Sequence, residues 1–96
     1  MDKFTLDWET AEIAMQPSPL RKKLSIEDYQ CVKSVIRNSN RTIKELYEYM
    51  DLTHREFYYR TPITSDGYRK TQQMGFTKRE WDQMLRFVEI AAEERR

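Results

Sequence analysis

The chain has 96 residues, of which 39% are hydrophobic and 34% charged, and its formal net charge is only +1. That length supports one small domain with one modest core, and four Phe, six Tyr and two Trp argue against a disordered chain. No apolar run approaches the roughly 20 residues of a membrane span, and the acidic start MDKFTLDWE is unlike a secretory signal, so we expect a cytoplasmic protein without a membrane segment.

The first 24 residues are predicted to form an arm and a linker ahead of the main domain. Four apolar residues of the arm lie on one helical stripe: Phe4, Trp8, Ala11 and Met15. This spacing predicts an amphipathic helix over 1–16, while the alternation of apolar residues around Leu6 leaves a short strand as the alternative. The sequence QPSPLRKK then combines two prolines with three cations, which predicts a linker over 17–24. The main domain is expected over 25–96.

Four sequences of the capping-box type mark where helices should begin in the main domain: SIED at 25–28, TIKE at 42–45, THRE at 53–56 and TKRE at 77–80. The first helix is expected to end near Asn38. The third must end by Thr61, because Pro62 disfavours helical geometry in the residue before it. The fourth is the longest. These signals predict a small, mainly all-α domain of four to five helices.

Residues 62–76 are the least helical stretch of the main domain, and 62–71 is the candidate for a short β-hairpin. They include ITSDGYRK, in which β-compatible residues surround Asp66 and Gly67, and this is a hairpin signal. A plain loop fits the same residues equally well. If the segment is a hairpin, it would form a wing whose Arg69 and Lys70 contact DNA phosphates.

Residues suited to catalysis or metal binding are scarce. His54 is the only histidine and Cys31 the only cysteine, too few for a zinc site of the usual nitrogen and sulfur type. Gly67 and Gly75 are the only glycines, so there is no glycine-rich loop for phosphate. Composition leaves open a Cys–His pair, but Cys31 is expected to be a small apolar residue beside the buried stripe of its helix. We expect no catalytic residue, no metal and no cofactor, and a protein that is not an enzyme.

The stretch TIKELYEYMDLTHREFYYR at 42–60 has the pattern of a helix-turn-helix. Such a motif needs a first helix with an apolar inner face, a tight turn, and a second helix whose N-terminal residues enter the DNA major groove. The first inner face would be formed by Ile43, Leu46, Tyr47 and Met50. Leu52 would close the turn, Thr53 would cap the second helix and Phe57 would anchor it. The outward residues offer donors, cations and aromatic rings: His54, Arg55, Tyr58, Tyr59 and Arg60.

The sequence MDLTHREFYYR at 50–60 resembles the turn and second helix of bacterial and phage helix-turn-helix proteins, repressors and resolvase-type recombinases among them. The resemblance implies packing positions at Met50, Leu52 and Phe57 and DNA-facing positions at Thr53, His54, Arg55 and Tyr58. Asp51 stands where the family usually has glycine, and Tyr47 where it usually has alanine. If the ring of Tyr47 did not fit between the helices, they would splay into an ordinary helical corner.

The cations are concentrated in the middle of the chain. Residues 1–20 carry one Lys against four acids, residues 21–79 carry 13 Lys and Arg against seven acids, and residues 80–96 carry three Arg against five acids. The three segments therefore have charges of −3, +6 and −2. A central surplus of this kind favours a face that binds a polyanion.

The sequence thus predicts a DNA-binding transcriptional regulator of prokaryotic or phage type, such as a repressor, with duplex DNA as its partner. The DNA-contacting candidates are Thr42, Thr53, His54, Arg55, Tyr58, Tyr59, Arg60, Arg69 and Lys70. The predicted homodimer seam, which would alternatively be the lid of the domain's own core, is formed by Trp81, Met84, Leu85 and Val88. The alternative function is a small phage-type adaptor or inhibitor that binds a host protein through an aromatic helical surface.

Overall fold

The computed structural model describes residues 6–15, 19–64, 66–70 and 72–94. In chain order it contains two short strands and four helices: β1 (Ile13–Met15), β2 (Arg21–Lys22), α1 (Ile26–Arg37), α2 (Ile43–Tyr49), α3 (His54–Arg60) and α4 (Lys78–Glu93). The predicted mainly α-helical fold class is confirmed. Over the described part of the chain, no helix combines the length and the apolar character needed to cross a membrane.

The four helices begin where the capping sequences predict. Each is preceded by a hydroxyl residue whose side chain accepts the backbone N–H of the third helical residue: Ser25, Thr42, Thr53 and Thr77. In the last three helices the Glu at that position also accepts the backbone N–H of the cap, which completes the box. Local sequence therefore fixes the helix starts, and α3 ends at Arg60, ahead of Pro62 as expected.

The core lies where α1 and α2 pack against α4, with α3 packed against α2. One face of α4 is buried: Trp81, Met84, Phe87, Val88 and Ala91. The facing helices contribute further buried side chains: Tyr29, Val32 and Ile36 from α1, Leu46 from α2 and Phe57 from α3. Burying a Val, Leu, Ile, Phe or Met side chain fully stabilises a fold by about 1.5–3 kcal/mol, so this contact accounts for much of the stability of the domain.

The face of α4 that was predicted as a homodimer seam belongs to this core. Trp81 is 2% exposed, and Met84 and Val88 are fully buried. Leu85 is partly buried and packs against the same cluster. The predicted seam through these four residues is therefore wrong. A chain of this size has few large apolar side chains, and it uses these for its own core.

Cys31 lies exposed on α1, so the expectation that it packs beside the buried stripe is wrong. The stripe runs through Tyr29, Val32 and Ile36. Successive helical residues are about 100° apart, so Cys31 lies about 200° round the helix from Tyr29. That angle places its thiol on the solvent side of α1.

The N-terminal residues form a turn and a strand rather than the predicted helix. Over residues 6–15 the only regular element is β1, and the proposed stripe residue Phe4 lies outside the described residues. Leu6 is 5% exposed, and its carbonyl accepts the indole N–H of Trp81 at 3.3 Å. The rings of Trp8 and Trp81 meet edge to face, 5.5 Å apart. These contacts with α4 explain why the segment does not adopt an independent helix.

Strand β2 joins the predicted linker to the body of the domain. It pairs antiparallel with β1, and on its other side Lys22 and Phe76 exchange two backbone hydrogen bonds of 2.9 and 2.8 Å. Leu24, immediately after it, is fully buried. Gly75 permits this close approach, because a Cβ there would lie 2.7 Å from the Cβ of Ala14, and its φ is +79°. The division into arm, linker and domain stays a prediction, but β2 is packed against the rest of the chain.

Candidate nucleic-acid interface

The turn between α2 and α3 contains a left-handed residue. Asp51 has φ 61°, at the position where helix-turn-helix proteins usually have glycine. Aspartate enters this region at a lower cost than most residues because its short side chain can bond locally. The turn is closed by the backbone N–H of Leu52, which donates to the carbonyl of Tyr47 at 2.8 Å. The chain therefore makes a tight turn without glycine.

The ring of Tyr47 fits at the contact between α2 and α3. It is half-buried and lies 5.8 Å from the ring of Phe57 and 5.7 Å from that of His54. Phe57 itself is 3% exposed, so the inward anchor of α3 is seated in the core. The larger side chain at position 47 is thus accommodated, and the two helices remain in contact.

The capping threonines, Thr42 and Thr53, form hydrogen bonds within their own helices. The Oγ1 of Thr53 accepts the backbone N–H of Glu56 at 3.1 Å, and Glu56 Oε1 accepts the backbone N–H of Thr53 at 2.8 Å. This second bond lowers the pKa of the Glu56 carboxyl, because the N–H stabilises the ionised form. Thr42 and Glu45 form the same arrangement at the start of α2. The DNA contacts predicted for Thr42 and Thr53 stay predictions.

The first turn of α3 presents its polar side chains to solvent. His54 and Arg55 are both exposed, and Tyr59, one turn later, is 49% exposed. In the described part of the chain Arg55 forms no ion pair. Tyr58 is half-buried. His54 and Arg55 therefore stand together on an accessible surface beside the α2–α3 turn.

Arg60 was predicted to face outward, and that prediction is wrong. Its side chain is 9% exposed, its Nε donates to Glu80 Oε1 at 3.1 Å, and its Nη1 donates to the carbonyl of Glu56 at 2.7 Å. The cause is helical periodicity: Arg60 follows the buried Phe57 by three residues and shares its face. The guanidinium cannot contact a phosphate without giving up these bonds.

Glu80 joins three elements and was not identified from the sequence as more than a helix cap. Its Oε1 accepts from the backbone N–H of Thr77 at 3.0 Å, from Arg60 at 3.1 Å and from Arg21 at 3.3 Å. The carboxylate thereby ties β2 and the last turn of α3 to the start of α4. The spacing of three residues between Thr77 and Glu80 predicted the helix cap. No feature of the neighbouring sequence predicted that Glu80 would also bind two arginines.

The segment predicted as a β-hairpin wing doubles back on itself, and its described residues, 62–64 and 66–70, form an isolated bridge but no named strand. The backbone N–H of Lys70 donates to the carbonyl of Pro62 at 2.9 Å, and one isolated bridge joins Ile63 and Arg69. Gly67 supplies the turn with φ 92°. Residues 65 and 71 lie outside the described residues, and Arg69 is exposed. We call residues 62–70 the wing loop.

Lys70 was predicted to contact DNA phosphates, but its half-buried ammonium is hydrogen-bonded to the end of α3. It donates to the carbonyl of Tyr58 and to Thr61 Oγ1 at 3.4 Å, and it lies 3.7 Å from the centre of the Tyr58 ring. Burial lowers the pKa of this ammonium. A cation at the C-terminal carbonyls of a helix stabilises that helix, so Lys70 acts on α3 itself.

Comparison with known proteins adds no family to these observations. No protein-family model matches the chain, and searches of curated proteins and of solved structures each found no match. The resemblance of residues 50–60 to helix-turn-helix proteins therefore stays a prediction. A function has to be argued from the geometry of α2, α3 and the wing loop.

Proposed function

We propose that the chain binds duplex DNA through α3, as a sequence-specific transcriptional regulator of prokaryotic or phage type. The observation that carries the proposal is the division of α3 into two faces. Phe57 is buried on the inner face, while His54 and Arg55 are exposed on the outer one. The left-handed Asp51 lets the chain turn tightly from α2 into α3, as a helix-turn-helix requires.

The size and chemistry of the outer face support this proposal. An α-helix with its side chains is about 10–12 Å across, and the major groove is about 12 Å wide, so the groove can admit α3. The N-terminal residues of such a helix contact base edges. The guanidinium of Arg55 carries the fork of donors that pairs with guanine. The imidazole of His54 can bind either a hydrogen-bond donor or an acceptor on a base edge.

The wing loop would supply contacts with the DNA backbone. Arg69 is exposed on this loop, and the loop follows α3 directly in the chain. A guanidinium in that position suits a phosphate beside the groove that α3 enters. The segment 21–79 has a surplus of six positive charges over its acids, which favours association with a polyanion. A dimer on a two-fold site would have to use a surface other than the buried face of α4.

The proposal is tested by titrating a labelled pool of mixed-sequence duplexes with the protein at about 50 and about 200 mM salt, followed by fluorescence anisotropy. We expect binding that weakens steeply with salt. The variant Arg55→Ala should lose about 1–3 kcal/mol of binding free energy. Arg86→Ala removes an exposed arginine of α4 and is the matched control. An absence of binding at the lower salt, or equal losses for the two variants, would refute the proposal.

Binding of a host protein is the second candidate, favoured by Tyr59. This ring is 49% exposed on a helix, and tyrosine is enriched among residues that dominate protein interfaces. The near-neutral total charge favours a protein partner over a polyanion such as DNA. If duplex binding fails, the immobilised chain should retain a specific protein from host extract. Tyr59→Ala should abolish that retention, whereas Tyr68→Ala, a change at another exposed tyrosine, should not.

A further inference from the structure

A groove of about 610 Å³ opens beside the last turn of α3. Its walls combine aromatic, cationic, amide and thioether side chains: Tyr58, Tyr59, Lys23, Lys70, Gln73 and Met74. No carboxylate belongs to the described lining, although 16 of the 96 residues are acidic. Its volume falls within the range of about 300–1,000 Å³ typical of sites for small molecules. The groove therefore suits a compact, anionic ligand.

The two tyrosines of the groove have different freedom. Tyr58 is held by the ammonium of Lys70, 3.7 Å from its ring centre. Tyr59 meets Tyr58 edge to face at 6.0 Å and is 49% exposed. The backbone N–H of Met74 donates to the carbonyl of Tyr59 at 2.9 Å, so the backbone under this ring is fixed. An aromatic ring with open area, attached to a fixed backbone, is a platform on which a planar ligand stacks.

The side chain of Gln73 carries a hydrogen-bond acceptor that no donor satisfies among the described residues. Its side-chain oxygen Oε1 is buried and has no hydrogen-bond partner among the described residues. A buried polar atom left unpaired costs about 1–3 kcal/mol, and native structures rarely tolerate it without a reason. When the Gln73 amide turns toward the groove, a ligand that carries an N–H donor in the plane of its ring can satisfy this oxygen.

The two lysines give the groove its charge. Lys23 Nζ is paired at 3.3 Å with Glu12, whose side chain is 74% exposed. Such surface pairs contribute little, so an incoming anion can compete for Lys23. Among the described residues, Lys70 donates to the Tyr58 carbonyl and to Thr61 Oγ1, which occupies two of its three N–H donors.

We propose that this groove binds one unstacked nucleotide. The base stacks on Tyr59 and donates an N–H to Gln73 Oε1, and the phosphate is attracted by Lys23 and Lys70. A free mononucleotide and an unpaired nucleotide within a single strand share this chemistry. The inference goes beyond duplex binding and does not require it, because His54 and Arg55 take no part in the groove. Since Tyr58 and Tyr59 belong to α3, a bound nucleotide would also stabilise the helix proposed to enter DNA.

The test uses thymidine 5′-monophosphate, whose base has a single N–H, followed by amide chemical shifts of the full chain. We expect shifts centred on residues 58–59 and 72–74 that saturate with ligand. N3-methylthymidine monophosphate keeps the ring and the phosphate but lacks the donor, and it should bind about fivefold to tenfold more weakly. A labelled oligothymidylate of about ten residues distinguishes the second source, and it should bind more tightly if the ligand is an unpaired nucleotide in a strand.

Three variants make the assignment specific. Tyr59→Ala should weaken binding of thymidine monophosphate about tenfold or more. Gln73→Ala should remove the difference between the methylated and unmethylated nucleotides, a readout that loss of general packing would not produce. Tyr68→Ala, which removes a tyrosine that is 73% exposed outside the groove, should leave binding unchanged. Circular dichroism of each variant checks that α3 and α4 remain folded.

The proposal is overturned if thymidine monophosphate and the oligothymidylate both fail to shift residues 58–59 and 72–74, or if Tyr59→Ala and Tyr68→Ala behave alike. It is also overturned if the acidic aromatic dipeptide acetyl-Asp-Phe-amide binds the same residues more tightly than the nucleotide. Failure of duplex binding alone, with nucleotide binding intact, would refute the proposed function and leave the groove assignment standing.

Discussion

The two ends of α3 carry the same kind of side chain in opposite environments. Arg55 in the first turn is exposed and forms no ion pair among the described residues, whereas Arg60 in the last turn is buried against Glu80. Lys70 adds a second cation at the buried end, on the carbonyl of Tyr58. One end of the helix is thus held by two cations from its own last turn and from the wing loop, and the other is held by its cap.

This asymmetry shows how a very short helix can offer a rigid surface. Seven residues are too few for a stable isolated helix in water, so α3 depends on tertiary contacts. The contacts of Phe57, Arg60 and Lys70 lie on its inner face or at its C-terminal end. The first turn can therefore keep His54 and Arg55 exposed, and the polar surface does not have to contribute to folding.

The strongest test of this comparison removes the charge of Glu80. Glu80→Gln keeps an oxygen for the cap of α4 but leaves both Arg60 and Arg21 without their shared carboxylate, so we expect a loss of about 3 kcal/mol of unfolding free energy. Urea denaturation measures it. Glu89→Gln changes an exposed glutamate on the same helix and should have almost no effect. Adding Arg60→Met to Glu80→Gln should recover part of the loss, because it removes the more deeply buried of the two unpaired charges. Equal stability of the two glutamate variants would show that the buried end is not held by this pair.

A smaller effect is expected from Lys70→Met, which keeps most of the apolar stem and removes the ammonium. The carbonyl of Tyr58 then loses its donor, and we expect about 1 kcal/mol of destabilisation in urea. Lys44→Met changes an exposed lysine of α2 and is the control.

Duplex binding separates two roles of Lys70, the stabilisation of α3 and a contact with DNA phosphate. Lys70→Met should leave the salt dependence of duplex binding unchanged. Arg69→Gln should reduce by about one the slope of the logarithm of the binding constant against the logarithm of the salt concentration. A reduced slope for Lys70→Met would restore it as a phosphate contact.

The entry to α3 is tested at Asp51, with a smaller expected change. Asp51→Gly removes a side chain from a left-handed residue and should raise the unfolding free energy by about 0.5–1 kcal/mol. Asp51→Ala should lower it by about the same amount, because alanine has no local hydrogen bond to offset the strain. Urea denaturation of both variants gives the comparison. If alanine were as stable as glycine, the turn would not require the left-handed conformation in solution.

The difference between the two ends of α3 also marks what the sequence could predict. The exposed end was predictable because it depends on local spacing: Thr53 and Glu56 are three residues apart, and both bonds of the box form between them. The buried end depends on Glu80, which lies 20 residues from Arg60 in the sequence. The same carboxylate pairs with Arg21, 59 residues away. Periodicity from Phe57 indicates that position 60 faces inward, but nothing in the sequence names its partner.

The N-terminal residues show the same limit. A helical stripe was predicted there because apolar residues recur at the right spacing, but Trp8 packs on Trp81 and Lys22 pairs with Phe76. Those partners lie more than 50 positions further along the chain. Chain spacing therefore predicted the elements whose stabilising contacts are local, and failed where contacts with α4 and its preceding segment decide the conformation.

The smallest expected effect concerns the cap of α3 and its dependence on pH. The Thr53 backbone N–H lowers the pKa of the Glu56 carboxyl in the folded chain. An unperturbed glutamate has a pKa of about 4.3, so the ionised carboxylate contributes stability above that pH and loses it as the pH falls through the lower, folded value. Glu56→Gln should therefore be less stable than the natural chain at pH 7, and the difference should shrink as the pH falls below about 4.3.

Glu94 provides the matched comparison for this effect. Its carboxyl also has a lowered pKa, because Arg41 donates two hydrogen bonds to it, but it lies at the end of α4, away from the cap of α3. Thermal unfolding from pH 7 to pH 3 should show convergence with the natural chain for both Glu56→Gln and Glu94→Gln. Only Glu56→Gln should increase amide exchange in the first turn of α3. Equal amide exchange in the two variants would mean that the first turn of α3 is held by something other than its cap. The difference in environment between Arg55 and Arg60 would then have another origin.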